Sequence, residues 1–255
     1  MSNRPESGQM PIILLHGWGM NKQIWQGIRE SLPTELQQRV TALDLPGFGD
    51  NSQILEPYDL TNLSNWLNEQ VHSPSIVIGW SLGGLVAQRF ATDFPDKVQS
   101  LGLVASTPKF LAEGDWPGIK PAVLSSFASQ LEQDHQGIVD KFMAIQAMGS
   151  ATAKQDIKQI KRWVLSKPTP NVETLRSGLD ILMQSNLTDE FQNLTVKTHI
   201  LLGKLDSLVP NRVEPHMRKL NSKVDIRIER KASHAPFISH PDYFIDWLLA
   251  LIEQD

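Results

Sequence analysis

The sequence predicts an α/β fold: a mostly parallel sheet flanked by helices, with a helical insertion after the strand that ends near Ala105. Three observations predict it. Short apolar runs rich in β-branched residues alternate with longer segments of helical periodicity. Most of these runs are continuously hydrophobic, as expected for strands covered on both faces. The alternation then stops for roughly ninety residues after Ala105, and structureless loops of that length are rare in compact domains.

The elements follow from these patterns in chain order. The predicted strands are residues 11–16, 40–44, 75–80, 98–105, 196–203 and 224–230. The predicted helices of the core are residues 24–32, 60–71, 82–94, 212–220 and 241–253. Within the insertion, helical periodicity covers residues 123–131, 138–148, 153–165 and 172–182. We therefore expect a core formed by residues 1–106 and 190–255, and a helical cap formed by residues 107–189.

Composition narrows the class of function. Of 255 residues, 40% are hydrophobic and 20% are charged, with a formal net charge of −4. This balance is typical of a globular protein and argues against nucleic acid as the main partner, because phosphate binding needs a dense cationic surface. The absence of cysteine excludes disulfides, thiolate metal sites and a cysteine nucleophile. The first apolar run is too short for a signal peptide, and none approaches the ~20 residues of a membrane span. We expect a cytoplasmic protein.

The sharpest motif is Gly-Trp-Ser-Leu-Gly at residues 79–83, which lies between a predicted strand and a predicted helix. A nucleophile on a sharp strand-to-helix turn needs small residues on both sides, where the backbones crowd. Ser81 is therefore the predicted nucleophile. The alternative is a glycine-rich helix start with an incidental serine.

A serine nucleophile needs a histidine base that is oriented by a carboxylate. Of the seven histidines, His234 follows the last predicted strand, whereas His16 sits beside glycines and is expected to shape the first turn. Asp206 follows the fifth predicted strand and completes the chain order serine, aspartate, histidine. Asp44 is the rival acid, but it precedes the serine and is expected to cap its own turn through backbone amides.

Acyl transfer also needs two backbone N–H groups for the oxyanion, one from the residue after the nucleophile and one from a loop after an earlier strand. Leu82 supplies the first. The His-Gly-Trp-Gly loop at residues 16–19 directly follows the first predicted strand, so the Trp18 amide is the predicted second donor.

These motifs resemble the BioH family of carboxylesterases of biotin synthesis, within the α/β-hydrolase superfamily. The segments that carry the resemblance are residues 14–19, 44–49, 79–87, 116–121 and 233–241. The likeness spans nearly the whole chain, and Trp-Pro-Gly-Ile-Lys-Pro at residues 116–121 and Gln-Ala-Met-Gly at residues 146–149 point to this family most narrowly. It implies hydrolysis of the methyl ester of pimeloyl-acyl carrier protein by a monomer without cofactor or metal. Relatives usually have a strand or hairpin before the His-Gly strand, whereas here only about ten, mostly polar, residues precede Pro11. We therefore expect this sheet to lack one edge strand.

The predicted cap carries local positive charge. Residues 141–167 contain six basic residues and one acidic residue, Asp156, for a net charge of +5. Four of the basic residues share one helical face, because they are spaced at i, i+4, i+7 and i+8: Lys154, Lys158, Lys161 and Arg162. The resemblance implies that basic residues here contact the acidic carrier protein, with Gly137 standing where relatives have another basic residue. The predicted carrier contacts are Lys141, Lys154, Lys158 and Arg162. The alternative is an ordinary solvated helix face.

The pocket must hold an acyl chain, and large apolar residues near the motifs and in the cap are candidates for its wall. Apolar side chains line most small-molecule sites, although the same residues can equally form core. The predicted substrate-binding residues are Trp18, Trp80, Leu82, Phe110, Trp116 and Phe142, and Met148 is a further candidate for the wall. Because fold and triad do not determine the substrate, a general short-chain esterase, a carbon–carbon bond hydrolase, a menaquinone-pathway synthase and a non-catalytic receptor stay open as alternatives.

Overall fold

A computed structural model of the chain describes residues 10–253. Within this range six strands form one sheet. They are β1 (Ile12–Leu15), β2 (Val40–Leu43), β3 (Ser75–Trp80), β4 (Val98–Val104), β5 (Lys197–Gly203) and β6 (Asp225–Glu229). The order across the sheet is β2-β1-β3-β4-β5-β6, and all five neighbouring pairs are parallel. The predicted fold class is confirmed, and each predicted strand matches to within one residue at each end.

Helices join and flank the strands. The first six are α1 (Gln26–Ser31), α2 (Thr34–Gln37), α3 (Leu60–Gln70), α4 (Leu82–Asp93), α5 (Pro121–Leu131) and α6 (His135–Gln146). The next six are α7 (Ala153–Val164), α8 (Val172–Gln184), α9 (Thr188–Gln192), α10 (Glu214–Leu220), α11 (Pro236–Ser239) and α12 (Pro241–Glu253). The sequence did not predict α2, α9 and α11, because helices of four or five residues are too short to show a 3.6-residue period.

Aromatic side chains hold the C-terminal helices to the core. Trp25, which ends a 3₁₀ turn at Lys22–Trp25, stacks on Phe237 of α11 with ring centroids 4.2 Å apart. Trp247 of α12 lies directly over Gly102, where an added Cβ would come within 3.0 Å of its ring. Close packing of this kind makes the sheet a rigid base, and loops at the carboxyl ends of its parallel strands can hold side chains in defined positions.

Five helices, α5–α9, lie between β4 and β5, and the first four of them, α5–α8, match the helical segments predicted for the insertion. The insertion is attached to the core at several points. Asn21 donates to the carbonyl of Val164 at 2.9 Å, and Trp163 packs so closely on Gly27 that an added Cβ there would lie 2.8 Å from its ring. No helix among residues 10–253 has the length and apolar character needed to cross a membrane. The predicted lack of an edge strand concerns residues 1–9, which lie outside the described residues.

Candidate active site

Ser81 lies on a sharp turn between β3 and α4, with φ 54° and ψ −118°. Positive φ is unfavourable for a residue with a Cβ, and strained residues of this kind cluster at active sites. The positions two residues before and after Ser81 must be glycine, because a Cβ on Gly79 would lie 2.1 Å from the Gly83 carbonyl oxygen, and one on Gly83 would lie 2.6 Å from the His16 carbonyl oxygen. The glycines of the motif therefore permit the turn that holds the serine at the end of its strand.

Ser106 supports this turn from the neighbouring strand end. Its hydroxyl donates to the Ser81 carbonyl at 2.9 Å, and a Cβ on Gly84 would lie 2.3 Å from the same hydroxyl. Sequence reasoning missed Ser106. The available signal was its position just past the end of β4, which pairs with the serine strand.

Asp206 and His234 form a fully buried pair. The Asp206 Oδ2 atom lies 2.7 Å from His234 Nδ1, and its Oδ1 atom accepts hydrogen bonds from the amides of Leu208 at 2.8 Å and Val209 at 3.0 Å. These bonds hold the carboxylate in one orientation. Because the carboxylate accepts, Nδ1 must carry the proton, which leaves Nε2 of a neutral His234 as a proton acceptor.

Trp80 joins the serine turn to the histidine loop. Its indole N–H donates to the His234 carbonyl at 2.8 Å, and the two rings lie 5.8 Å apart. The residue next to the predicted nucleophile therefore contacts the predicted base directly. His234 Nε2 is buried and has no hydrogen-bond partner within residues 10–253, which leaves it available to Ser81 and to a substrate. Hydrogen bonds of this kind often tighten only in the substrate complex.

Trp80→Phe tests this link, because it removes the N–H and keeps most of the ring. We expect kcat for ester hydrolysis to fall about tenfold with little change in KM, since the His234 loop loses one bond that orients it. The matched control is Trp247→Phe. The indole nitrogen of Trp247 is buried without a partner among the described residues, so its removal leaves kcat unchanged. Equal kcat values for the two variants would contradict a positioning role for Trp80.

The backbone amides of the two predicted oxyanion donors have no hydrogen-bond acceptor among the described residues. Leu82 is the first residue of α4, so its amide has no partner inside the helix. Neither it nor the Trp18 amide donates to another residue in the described part of the chain. A Cβ on Gly17 would lie 3.2 Å from Ser81 Cβ, which places the loop of Trp18 directly beside the serine.

His16 shapes that loop, as predicted. Its Nδ1 donates to the Gly17 carbonyl at 2.8 Å, and its Nε2 accepts from the Leu45 amide at 3.0 Å. Burial lowers the pKa of the His16 imidazole. The ring is therefore held neutral, which it must be for Nε2 to accept a hydrogen bond.

Asp44 is a structural residue, as the sequence also indicated. Its Oδ1 accepts from the Lys22 amide at 2.6 Å and its Oδ2 from the Asp50 amide at 2.9 Å. The rival acid therefore binds its own turn through Asp50 and the earlier segment that contains Lys22, and Asp206 is the carboxylate that orients His234.

The predicted wall residues divide into two groups, and Met148, the further wall candidate, belongs to neither because its side chain is largely exposed. Trp18 donates its indole N–H to the Leu175 carbonyl at 2.7 Å and packs edge-on against Phe142 at 4.8 Å, so core and insertion meet there. Trp80 and Leu82 flank the serine and are buried. Ring contacts within residues 10–253 join neither Phe110 nor Trp116 to this group: Trp116 packs against His216 at 5.7 Å, and Phe110 is buried and bonded through its carbonyl to Ile119.

Gln146 is a polar residue of the site that the sequence analysis did not select. It ends α6, and its carbonyl accepts from the His234 amide at 3.0 Å. Its side chain is buried, yet neither amide atom has a partner among residues 10–253. An unpaired buried amide costs about 1–3 kcal/mol, so a substrate group is the natural partner. The available signal was an amide at the end of an otherwise apolar helix face.

The basic residues of the insertion are placed as the helical spacing predicts. Lys154, Lys158 and Arg162 are exposed on α7 and form no ion pair with a described acidic residue, whereas Lys161 bonds to Asp140 at 2.9 Å. Asp156 is on the other side of the helix. It is buried and accepts bonds from the hydroxyls of Ser150 and Thr152. The exposed face of α7 is therefore more uniformly positive than its composition suggested.

A model of the alpha/beta hydrolase family matches residues 12–247, and the chain belongs to this family. Among curated proteins it is similar to the pimeloyl-[acyl-carrier protein] methyl ester esterase of Pseudoalteromonas atlantica, with 44% identity over 94% of this chain and 92% of that one. Among solved structures it resembles an esterase from Exiguobacterium antarcticum (TM-score 0.85, 19% identity) and a bromoperoxidase from Bacillus anthracis (TM-score 0.84, 18% identity). Each comparison covers 96% of this chain and 92% of the other. At such identities the two structures support the fold alone.

Proposed function

We propose that this protein is a serine carboxylesterase that hydrolyses the methyl ester of pimeloyl-acyl carrier protein, giving pimeloyl-acyl carrier protein and methanol in biotin synthesis. The observation that carries the proposal is the 44% identity to the esterase of that name over nearly the full length of both chains. The buried Asp206–His234 pair beside the Ser81 turn supplies the chemistry that such an enzyme requires. We further propose that it acts in the cytoplasm as a monomer, without cofactor or metal.

In the proposed mechanism the Ser81 hydroxyl attacks the ester carbonyl while His234 Nε2 takes its proton. The oxyanion accepts hydrogen bonds from the Trp18 and Leu82 amides. Asp206 stabilises the imidazolium through the 2.7 Å bond at Nδ1. His234 then protonates the departing methoxide, and a water molecule activated by the same imidazole releases the acid.

The proposed substrate site lies between the core and the insertion. Trp18, Trp80, Leu82 and Phe142 provide apolar surface for an acyl chain, and the unpaired amide of Gln146 provides a hydrogen-bonding group. We propose that residues 107–189 act as a cap that excludes water from this site. Phe110 and Trp116 remain proposed wall residues on the basis of sequence alone.

The proposed carrier contacts are Lys141, Lys154, Lys158 and Arg162. Acyl carrier proteins are acidic, and an exposed basic face steers and orients such a partner. Lys141 differs from the others because its ammonium group also bonds to Gln130 at 3.3 Å. The support for this surface is its charge, its exposure and its lack of exposed acidic residues on α7.

Lys154→Glu/Lys158→Glu tests the carrier surface and the substrate class together. We expect KM for the carrier-linked methyl ester to rise about tenfold or more, because each reversal replaces attraction by repulsion. Hydrolysis of a free short-chain methyl ester should stay within twofold of wild type. The matched control is Lys219→Glu/Lys223→Glu, which reverses two exposed charges near the start of β6. If wild type does not hydrolyse the carrier-linked ester, the proposed function is wrong.

A further inference from the structure

Three chain segments meet at the outer surface beside the Asp206–His234 pair. The Ser233 hydroxyl donates to the Met148 carbonyl at 2.9 Å, and the His234 amide donates to the Gln146 carbonyl at 3.0 Å. The Leu205 amide donates to the Ala232 carbonyl at 2.9 Å. The turn between α6 and α7, the loop after β5 and the histidine loop therefore form one continuous surface.

Two large apolar side chains are exposed on this surface. Met148 is 53% exposed and Leu205 is 41% exposed, and both belong to the small set of large hydrophobic residues with high exposure in the described chain. The residue after Met148 lies beside Leu205, because a Cβ on Gly149 would lie 3.5 Å from Leu205 Cβ. Adjacent exposed apolar side chains with polar surroundings are typical of an interaction surface.

Basic residues border the apolar pair. Lys204 precedes Leu205, and Arg230 and Lys231 precede Ala232, whose carbonyl holds the Leu205 amide. All three are exposed, and none forms an ion pair with an acidic residue within residues 10–253. The acidic residues of the same segments do not neutralise them through ion pairs: Asp206 is buried against His234, and Glu229 is half-buried and accepts the Lys231 amide.

Resting on the proposed function, we propose that Met148, Leu205, Lys204, Arg230 and Lys231 form a second docking surface for the acidic acyl carrier protein. We call these five residues the seam patch. An apolar centre with a charged rim is the usual arrangement of a transient protein interface, and the sign of the rim selects an acidic partner. A neutral or basic partner would gain nothing from this rim.

The size of the α7 surface supports a second contact region. Four basic side chains on α6 and α7 make up far less than the ~800 Å² per partner, or roughly 20–30 residues, of a standard interface. Lys154 lies in the first turn of α7, a few residues after Met148. The two surfaces are therefore adjacent, and a single carrier protein can contact both.

The position of the seam patch gives the second contact a function. Leu205 directly precedes Asp206, and Met148 is bonded to the residue before His234. A carrier protein bound here lies over His234, the proposed catalytic base. Its tethered acyl group is then delivered close to the site, which lowers KM for the tethered ester and has no effect on a free ester.

Lys204→Glu/Lys231→Glu is the direct test, with Lys219→Glu/Lys223→Glu as the control of equal charge change near the opposite end of β6. We expect KM for pimeloyl-acyl carrier protein methyl ester to rise about tenfold in the first variant and less than twofold in the control. Free methyl ester hydrolysis should stay within twofold in both. Raising the salt concentration should reduce the difference, because screening weakens a charge-driven encounter.

Met148→Ser provides a second test that leaves the charge unchanged. Because Met148 is exposed, this variant is expected to fold normally and to raise KM for the carrier-linked ester about threefold. If the Lys204→Glu/Lys231→Glu variant has the same KM for the carrier-linked ester as wild type, the proposal of the seam patch is wrong, while the proposed function stays intact. An equal loss on both esters would also overturn it, because the residues would then support the histidine loop instead of the partner.

Discussion

Replacing Ser81 by alanine is expected to lower kcat for ester hydrolysis by about 10⁵–10⁶-fold, the largest effect of any single change in this chain. The reason is that the Ser81 hydroxyl is the proposed nucleophile, and loss of a serine nucleophile from such a triad costs about this much. Steady-state hydrolysis of a chromogenic short-chain ester measures it. A phosphonate probe should label wild type and fail to label the variant.

The control for this variant is Ser75→Ala. Ser75 is a buried serine at the start of the same strand, and its hydroxyl bonds only locally, to the Ser73 carbonyl at 2.8 Å. We expect it to cost about 1 kcal/mol of unfolding free energy and to leave kcat unchanged. Because alanine fits the space of Ser81, both variants should fold. Retention of most activity by Ser81→Ala would show that hydrolysis does not proceed through an acyl-serine.

Asp206→Asn is expected to lower kcat by about 10⁴-fold with the fold intact. The Asn oxygen can still accept the Leu208 and Val209 amides, so its NH₂ group must face His234 Nδ1. Nδ1 then becomes the acceptor and Nε2 carries the proton, which is the wrong tautomer for taking a proton from Ser81. The kcat for a free ester, with a far-UV CD spectrum to verify folding, measures this effect.

Asp44→Asn is the matched control, since Asp44 is also a buried carboxylate that accepts two backbone amides. It should lower the free energy of unfolding by about 1–3 kcal/mol, because it weakens charge-assisted bonds and the ion pair with Lys22. Its kcat should stay within a few fold of wild type. A larger loss of kcat in Asp44→Asn than in Asp206→Asn would reverse the assignment of the acid.

The strands and the proposed triad were predictable because their signals are local. A buried parallel strand is an unbroken apolar run, so six runs predicted six strands. The Ser81 turn needs glycines at fixed neighbouring positions, and that requirement is visible as a short motif. Asp206 and His234 each follow a strand, and the loops at the carboxyl ends of neighbouring parallel strands come together.

The contacts that tune the site were not predictable from local signals. Trp80 was selected as a wall residue, yet its indole N–H holds the His234 carbonyl 154 positions away. Gln146 begins a segment that contributes to the family resemblance, but that segment assigns it no role, and its unpaired amide is recognisable only once its burial beside His234 is known. In the sequence, Asp156 lowers the net positive charge of α7. In the structure it is buried on the other side of the helix, so the exposed face does not include it.

The sequence by itself determined the fold class, the strand positions, the order of the proposed triad and the location of the basic helix. Each of these depends on residues that are adjacent or at a fixed period along the chain. Only the tertiary structure decided which distant segments touch: the bond between Trp80 and His234, the buried amide of Gln146, and the exposed pair of Met148 and Leu205. Such contacts depend on how the insertion packs against the sheet, and packing is a property of three-dimensional shape that no local pattern encodes.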